Sequence, residues 1–141
     1  MYEISSVQLH LQMLQDVINR MASNSANAKT WCITLVSAII ILAADKENPQ
    51  VIEYTLLPVI MFYILDVYYL AYEKAFRASY NKFVDNLPSN LEQDVIYRIF
   101  PEGNIWKHRK DALISFSTTG FYILFALVLF FHKLSPLSNA V

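Results

Sequence analysis

A chain of 141 residues in which 55% are hydrophobic and only 16% charged, with a mean hydropathy of +0.33, is too apolar for a soluble domain of this size, because so small an interior cannot hide that much apolar surface. Lipid is expected to cover the excess. The 11 basic and 12 acidic residues leave a net charge of -1, which excludes an overall basic excess directed at nucleic acid.

The N-terminal MYEISSVQLHLQ lacks a basic stretch followed by an apolar core and a cleavage site, so no signal peptide is expected. Val7, Leu11, Leu14, Ile18 and Met21 step by four and three and predict an amphipathic helix over residues 1–25, with Gln8, Gln12, Gln15, Asp16 and Asn19 on the opposite face. Ser5 and Gln8 have the spacing of a capping box at its start. Residues 26–44, ANAKTWCITLVSAIIILAA, extend roughly 28 Å at 1.5 Å per residue, about one hydrocarbon thickness, and predict the first transmembrane helix. In it Lys29 is expected to snorkel to the head groups and Trp31 to sit in the interfacial belt. Cys32 has no second cysteine to pair with and reads as a small buried hydrophobe. Small residues around it, Ala22, Ser23, Ser25, Ala26 and Ala28, then Ser37 and Ala38, suit close helix approach or merely soften the entry into the bilayer.

DKENPQ predicts a turn, and a second span runs to about residue 72, closing a transmembrane hairpin over 26–72 with Pro58 near its first turn. No breaker follows. The helix is expected to leave the membrane as EKAFRASYNKFVDN, with Phe76, Tyr80, Phe83 and Leu87 on one stripe. After LPSN, a cap at Ser89 or Asn90 predicts a short helix over LEQDVIYRIF, and PEGN a turn, completing a cytoplasmic helical region over 73–111. A third transmembrane helix is expected over 112–132, ALISFSTTGFYILFALVLFFH, followed by a tail at 133–141. Ser115, Ser117, Thr118, Thr119 and Gly120 within it could meet a partner helix or bond back to their own backbone. The fold expected is thus all-α: three transmembrane helices, an N-terminal amphipathic helix, and cytoplasmic helices between spans two and three.

Lysine and arginine place the ends. The N-terminal segment holds Arg20 and Lys29, and Lys74, Arg77, Lys82, Arg98, Lys107, Arg109 and Lys110 lie between spans two and three, against Lys46 and Lys133 elsewhere. Positive residues stay inside, so the N-terminus and 73–111 are expected in the cytoplasm and the C-terminus outside.

Asp66 stands alone among apolar residues of the second span, where an ionised acid costs about 2.5 to 3.5 kcal/mol on insertion scales. Two readings stay open: in a ring of subunits it lines a pore or binds a cation, or it sits protonated or bonded to a serine, threonine or tyrosine of a neighbouring helix and fixes how the helices dock. Arg20, Glu73 and Arg77 are candidates for a charge network at the cytoplasmic surface, with Glu73 and Arg77 one turn apart. Trp106, Lys107, Arg109 and Lys110, with His108 among them, read as a lipid head-group anchor. His10, His108 and His132 lie too far apart for a metal site, and no Ser/His/Asp set, phosphate-cradling glycine loop or CxxC occurs. No catalytic, metal or cofactor residues are expected, and no enzyme.

Two stretches, LQMLQDVINRMASNSANAKTWCITLVSAI (11–39) and LPVIMFYILDVYYLAYEKAFRASYNK (57–82), resemble a group of small bacterial membrane proteins. That group shares an amphipathic helix ending in an Asn-Arg-Met-like turn, a membrane hairpin and an LDxYYLxxExxFR-like exit helix. Asn19, Arg20, Ser25, Lys29 and Trp31 match in the first stretch, and Leu65, Asp66, Tyr68, Tyr69, Leu70, Glu73, Phe76 and Arg77 in the second. The arrangement is also similar to the two-span SLATT modules of anti-phage systems, from which it departs by its third span. The resemblance implies an oligomeric effector of the bacterial inner membrane that permeabilises or depolarises it when a cytoplasmic protein or nucleotide signal triggers the assembly. The alternative is a non-conducting scaffold that docks a cytoplasmic partner through its amphipathic helices.

Overall fold

A computed structural model describes residues 4–45, 53–86 and 98–134. They form α1 (Ile4–Asp45), α2 (Leu56–Asp85), α3 (Ile105–Leu113), a π-helical turn (Phe116–Gly120) and α4 (Phe121–Leu134), with no strand among the described residues. The DKENPQ turn, most of the 91–100 helix with its cap, and most of the tail lie outside the described residues. Two helices, Ser6–Ala43 and Glu53–Asp85, are long and apolar enough to cross a membrane, or three if the bent pair around residue 115 forms one span.

The amphipathic helix and the first span are one helix of 42 residues. Neither glycine nor proline occurs before Pro49, so each peptide N–H can reach the carbonyl four residues back without interruption. Its buried face repeats as His10, Leu14, Ile18, Ser25, Ala28, Cys32, Val36 and Ala43, in steps of three, four and seven that hold one stripe through the whole length. The expected polar face, Gln8, Gln12, Gln15, Asp16 and Asn19, is exposed. Val7, Leu11 and Met21 flank the stripe half-buried, and His10 joins it with its ring 4.2 Å from that of Phe83.

Against that stripe α2 lays Val59, Asp66, Val67, Ala71, Ala75 and Phe83. The helices run antiparallel: His10 meets Phe83 at one end, Ser25 meets Asp66 midway, and Cys32 and Val36 pack with Val59 towards the other. Among the small residues Ser25 and Ala28 are buried in this seam, whereas Ser23, Ala26, Ser37 and Ala38 are exposed.

From residue 98 the chain returns along α2. Residues 98–100 were expected to close a helix, but they are not helical. Pro101 disfavours helical geometry in the residue before it, and the Phe100 carbonyl accepts from Ser79 Oγ at 2.6 Å instead of continuing a helical ladder. Glu102 N–H donates to the Ala75 carbonyl, Lys82 reaches the Glu102 carboxylate at 2.9 Å, and Gly103 turns the chain at φ 83°, a left-handed conformation that glycine adopts without cost. Asn104 then caps α3 by accepting the Trp106 N–H.

α3 docks through Ala112, which is fully buried against Val67 and Ala71. Ala71 and Ala112 are both fully buried there, so a larger side chain has no exposed space to turn into. Ala71→Leu is therefore expected to overpack the seam by about 1–3 kcal/mol, seen as faster amide exchange across residues 105–113 with α1 unaffected.

The third span is not the continuous helix expected over 112–132. Helix begins earlier, at Ile105, stops at Leu113, passes Ser115 in extended geometry (ψ 132°) and resumes as the π-helical turn and α4, the two parts meeting at 42°. The run of hydroxyls supplies the cause. Thr119 Oγ1 donates to the Leu113 carbonyl, and the Thr118 and Thr119 N–H groups take the Ser115 carbonyl, so this stretch bonds back on its own backbone instead of extending the helix.

Candidate functional site

The chain places one charge in each half of the hairpin, and the antiparallel register brings the two together. Ser25 and Lys29 lie one turn apart on α1, on the stripe that faces α2, and Asp66 is the α2 residue opposite them. Asp66 has no solvent exposure. Its Oδ1 accepts from Ser25 Oγ, and its Oδ2 stands 2.6 Å from Lys29 Nζ, in ion-pair contact though off hydrogen-bond alignment. Lys29 Nζ also donates to Ser25 Oγ at 3.3 Å, closing a three-member cluster. The expectation that Lys29 snorkels outward is thus corrected: its side chain is 17% exposed and turns inward to the acid. Among the described residues no other cation forms an ion pair with that carboxylate, and a lysine stem is long enough to reach it.

Lys29 Nζ donates to Ser25 Oγ and Ser25 Oγ donates to Asp66 Oδ1, a chain of contacts that ties α1 to α2 midway along their seam.

The third helical segment adds two buried hydroxyls. Thr118 and Tyr122 are buried, and among the described residues neither hydroxyl oxygen has a hydrogen-bond partner. Tyr122 stands within electrostatic reach of Asp66 and Cys32, with its ring 5.2 Å from that of Tyr63. Phe121, Phe125 and Leu129 pack beside it on the core made by Cys32, Val36 and Val59. Further along α4, Ile123, Leu124, Leu127, Val128, Phe130 and Phe131 are exposed, an apolar surface suited to lipid.

At the other end of the hairpin Arg77 Nε bonds Glu73 Oε1 at 2.8 Å, and Arg20 is exposed and outside that pair. An exposed pair of this spacing contributes about 0.3–0.5 kcal/mol. An open groove of about 310 Å³ lies beside it, lined by Gln15, Ile18, Asn19, Arg77 and Tyr80. Of the four anchor residues, Trp106, Lys107 and Lys110 are exposed on α3, and the Arg109 guanidinium lies 4.9 Å from the Trp106 ring and 5.9 Å from that of Tyr68. His108 faces the Glu102 carbonyl at 3.0 Å. No group of three or more His, Cys, Asp or Glu residues able to hold a metal occurs among the described residues.

Sequence reasoning singled out Asp66 but not its partners. The signal was present: Lys29 is the one base in 26–44 and Asp66 the one acid in 54–72. What was missing was the register. Fold and cluster define a helical protein with two or three candidate membrane helices among the described residues, the first two of them joined by a buried ion pair. Compared with known protein families, curated proteins and solved structures, the chain has no significant match.

Proposed function

We propose that this chain is an oligomeric effector of the bacterial inner membrane that permeabilises or depolarises it in anti-phage defence, and that the structure is its closed state. Three observations orient it: the exposed apolar belts on all three segments, the excess of lysine and arginine at the N-terminal side and between residues 74 and 110, and the resemblance of 11–39 and 57–82 to small bacterial membrane proteins. The N-terminus then lies in the cytoplasm and the C-terminus outside.

The Lys29–Asp66 pair carries the reading. A buried ion pair contributes little net stability compared with an apolar contact of the same volume, and its best-attested use is to set a register or a switch. Here it neutralises the one acid that could serve a cation path and keeps it inside the hairpin. The cytoplasmic halves of α1 and α2 extend beyond the cluster as a helical stalk, within reach of a cytoplasmic protein or nucleotide signal. A trigger that turns one stalk helix against the other separates Lys29 from Asp66 and presents the carboxylate to neighbouring copies. Three helices in one chain enclose no water path, so several copies are required.

The groove beside Arg77 favours the second reading, a non-conducting scaffold whose stalk docks a partner protein. A potential-sensitive dye in expressing cells separates the two. During phage infection, which supplies the trigger, the wild-type chain should collapse the potential, and Lys29→Met with Asp66→Leu, which leaves an apolar hairpin interior, should not. An unchanged potential with both chains, or a single-copy particle mass in detergent under triggering conditions, would remove the effector reading.

A further inference from the structure

We propose that Trp106, Arg109 and Lys110 of α3, with Tyr68 of α2, form a binding site for the phosphate diester of an anionic lipid head group. The proposal rests on the reading of α2 as a membrane span and names the ligand of its cytoplasmic edge.

The other cations of the described region that stand near carboxylates are accounted for. Lys29 has Asp66, Arg77 has Glu73 and Lys82 has Glu102. Among the described residues no carboxylate forms an ion pair with Lys107, Arg109 or Lys110, three cations within four positions of one nine-residue helix. The acid of that helix, Asp111, adds a further cation: its backbone carbonyl accepts from Lys74 Nζ at 2.9 Å, which draws the Lys74 charge to the same end.

Arg109 is held in place. Its guanidinium lies over the Trp106 ring, one turn earlier on α3, and over the Tyr68 ring from α2. Two aromatic faces restrict the fork while leaving its N–H edge for a bidentate acceptor, the geometry that matches phosphate oxygens. The level is also right. Tyr68 is two residues beyond Asp66, and Ala112, one turn after Arg109, is packed on Val67 and Ala71. The exposed apolar residues Leu113, Ile114 and Phe116 begin immediately after. Trp106, 65% exposed, projects at the boundary where indole rings partition. A phosphate at this boundary meets fixed donors on one side and leaves its acyl chains against the apolar surface of α4.

Inorganic phosphate offers the same oxygens, so the experiment separates the two sources. The full chain, purified in detergent and stripped of lipid, is titrated with phosphatidylglycerol and with phosphatidylcholine and read by native mass spectrometry. Phosphatidylglycerol should be retained at least about tenfold better, which is the scale of one or two interfacial cations. Arg109→Gln should bring it to the phosphatidylcholine level. Arg109→Lys, which keeps the charge without the fork, should lose part of the preference, and Tyr68→Phe, which keeps the ring, should retain it. Millimolar inorganic phosphate should not compete; equal competition would overturn a lipid ligand in favour of a free anion. A preference untouched by Arg109→Gln would overturn the site itself. Carbonate washing of vesicles holding the same chain keeps the two failures apart: a chain that washes off refutes the membrane span, and one that stays without lipid preference refutes only this site.

Discussion

Lys29→Met is expected to lower the stability of the folded hairpin by about 3–5 kcal/mol, because it leaves the fully buried Asp66 carboxylate without its counter-charge. Ser25 still donates to Oδ1, but a single hydroxyl offsets only part of that cost. The matching double change, Lys29→Met with Asp66→Leu, is expected to recover most or all of the loss, since apolar residues of similar volume replace a buried pair at little or no cost. Unfolding of the purified chain in detergent measures both. A single variant as stable as wild type would show that water reaches Asp66. A double variant as unstable as the single one would show that the packing around the cluster, and not the charge, holds the seam. The same double variant carries the test of conduction, so stability and activity are read on one molecule.

Leu14→Ala is expected to cost about 2–5 kcal/mol, since Leu14 is 1% exposed and sits one turn from the His10 ring that packs on Phe83, so its removal leaves a void in the seam between α1 and α2. The loss should be local. The stalk lies beyond the Ser25–Lys29–Asp66 cluster, so amides at its end of α1 and in the last turns of α2 should exchange faster by roughly thirtyfold or more at 1.4 kcal/mol per tenfold, while those around Cys32 and Val36 stay protected. Equal acceleration along the whole of α1 would show that stalk and hairpin open as one unit. That outcome matters for the proposed switch, which needs a stalk able to move before the hairpin does.

The helical stripes were legible because period alone specifies them. Leu14 and Ile18 fall on the buried face of α1 and Phe83 on that of α2, as their spacing predicts. Continuity of α1 was implicit in the absence of glycine and proline, but a polar face giving way to an apolar run reads as two elements even when the backbone does not break. The bend near residue 115 was less legible. Ser115, Ser117, Thr118 and Thr119 can hydrogen-bond to the backbone or to another helix, and their composition does not decide which.

The sequence by itself determined that the described residues are mainly helical, that their apolar runs are long enough to cross a membrane, and which residues form the polar face at the start of α1. Those properties follow from local period and composition. Only the tertiary structure decided that Lys29 turns inward to Asp66, that the Tyr122 and Thr118 hydroxyls are buried, and that Arg109 lies between two rings from different helices. Each of these depends on the antiparallel register of α1 and α2 or on the return of the chain along α2. Register is set by the summed fit of alanines, aromatics and one ion pair between residues far apart in the chain, which no local pattern encodes.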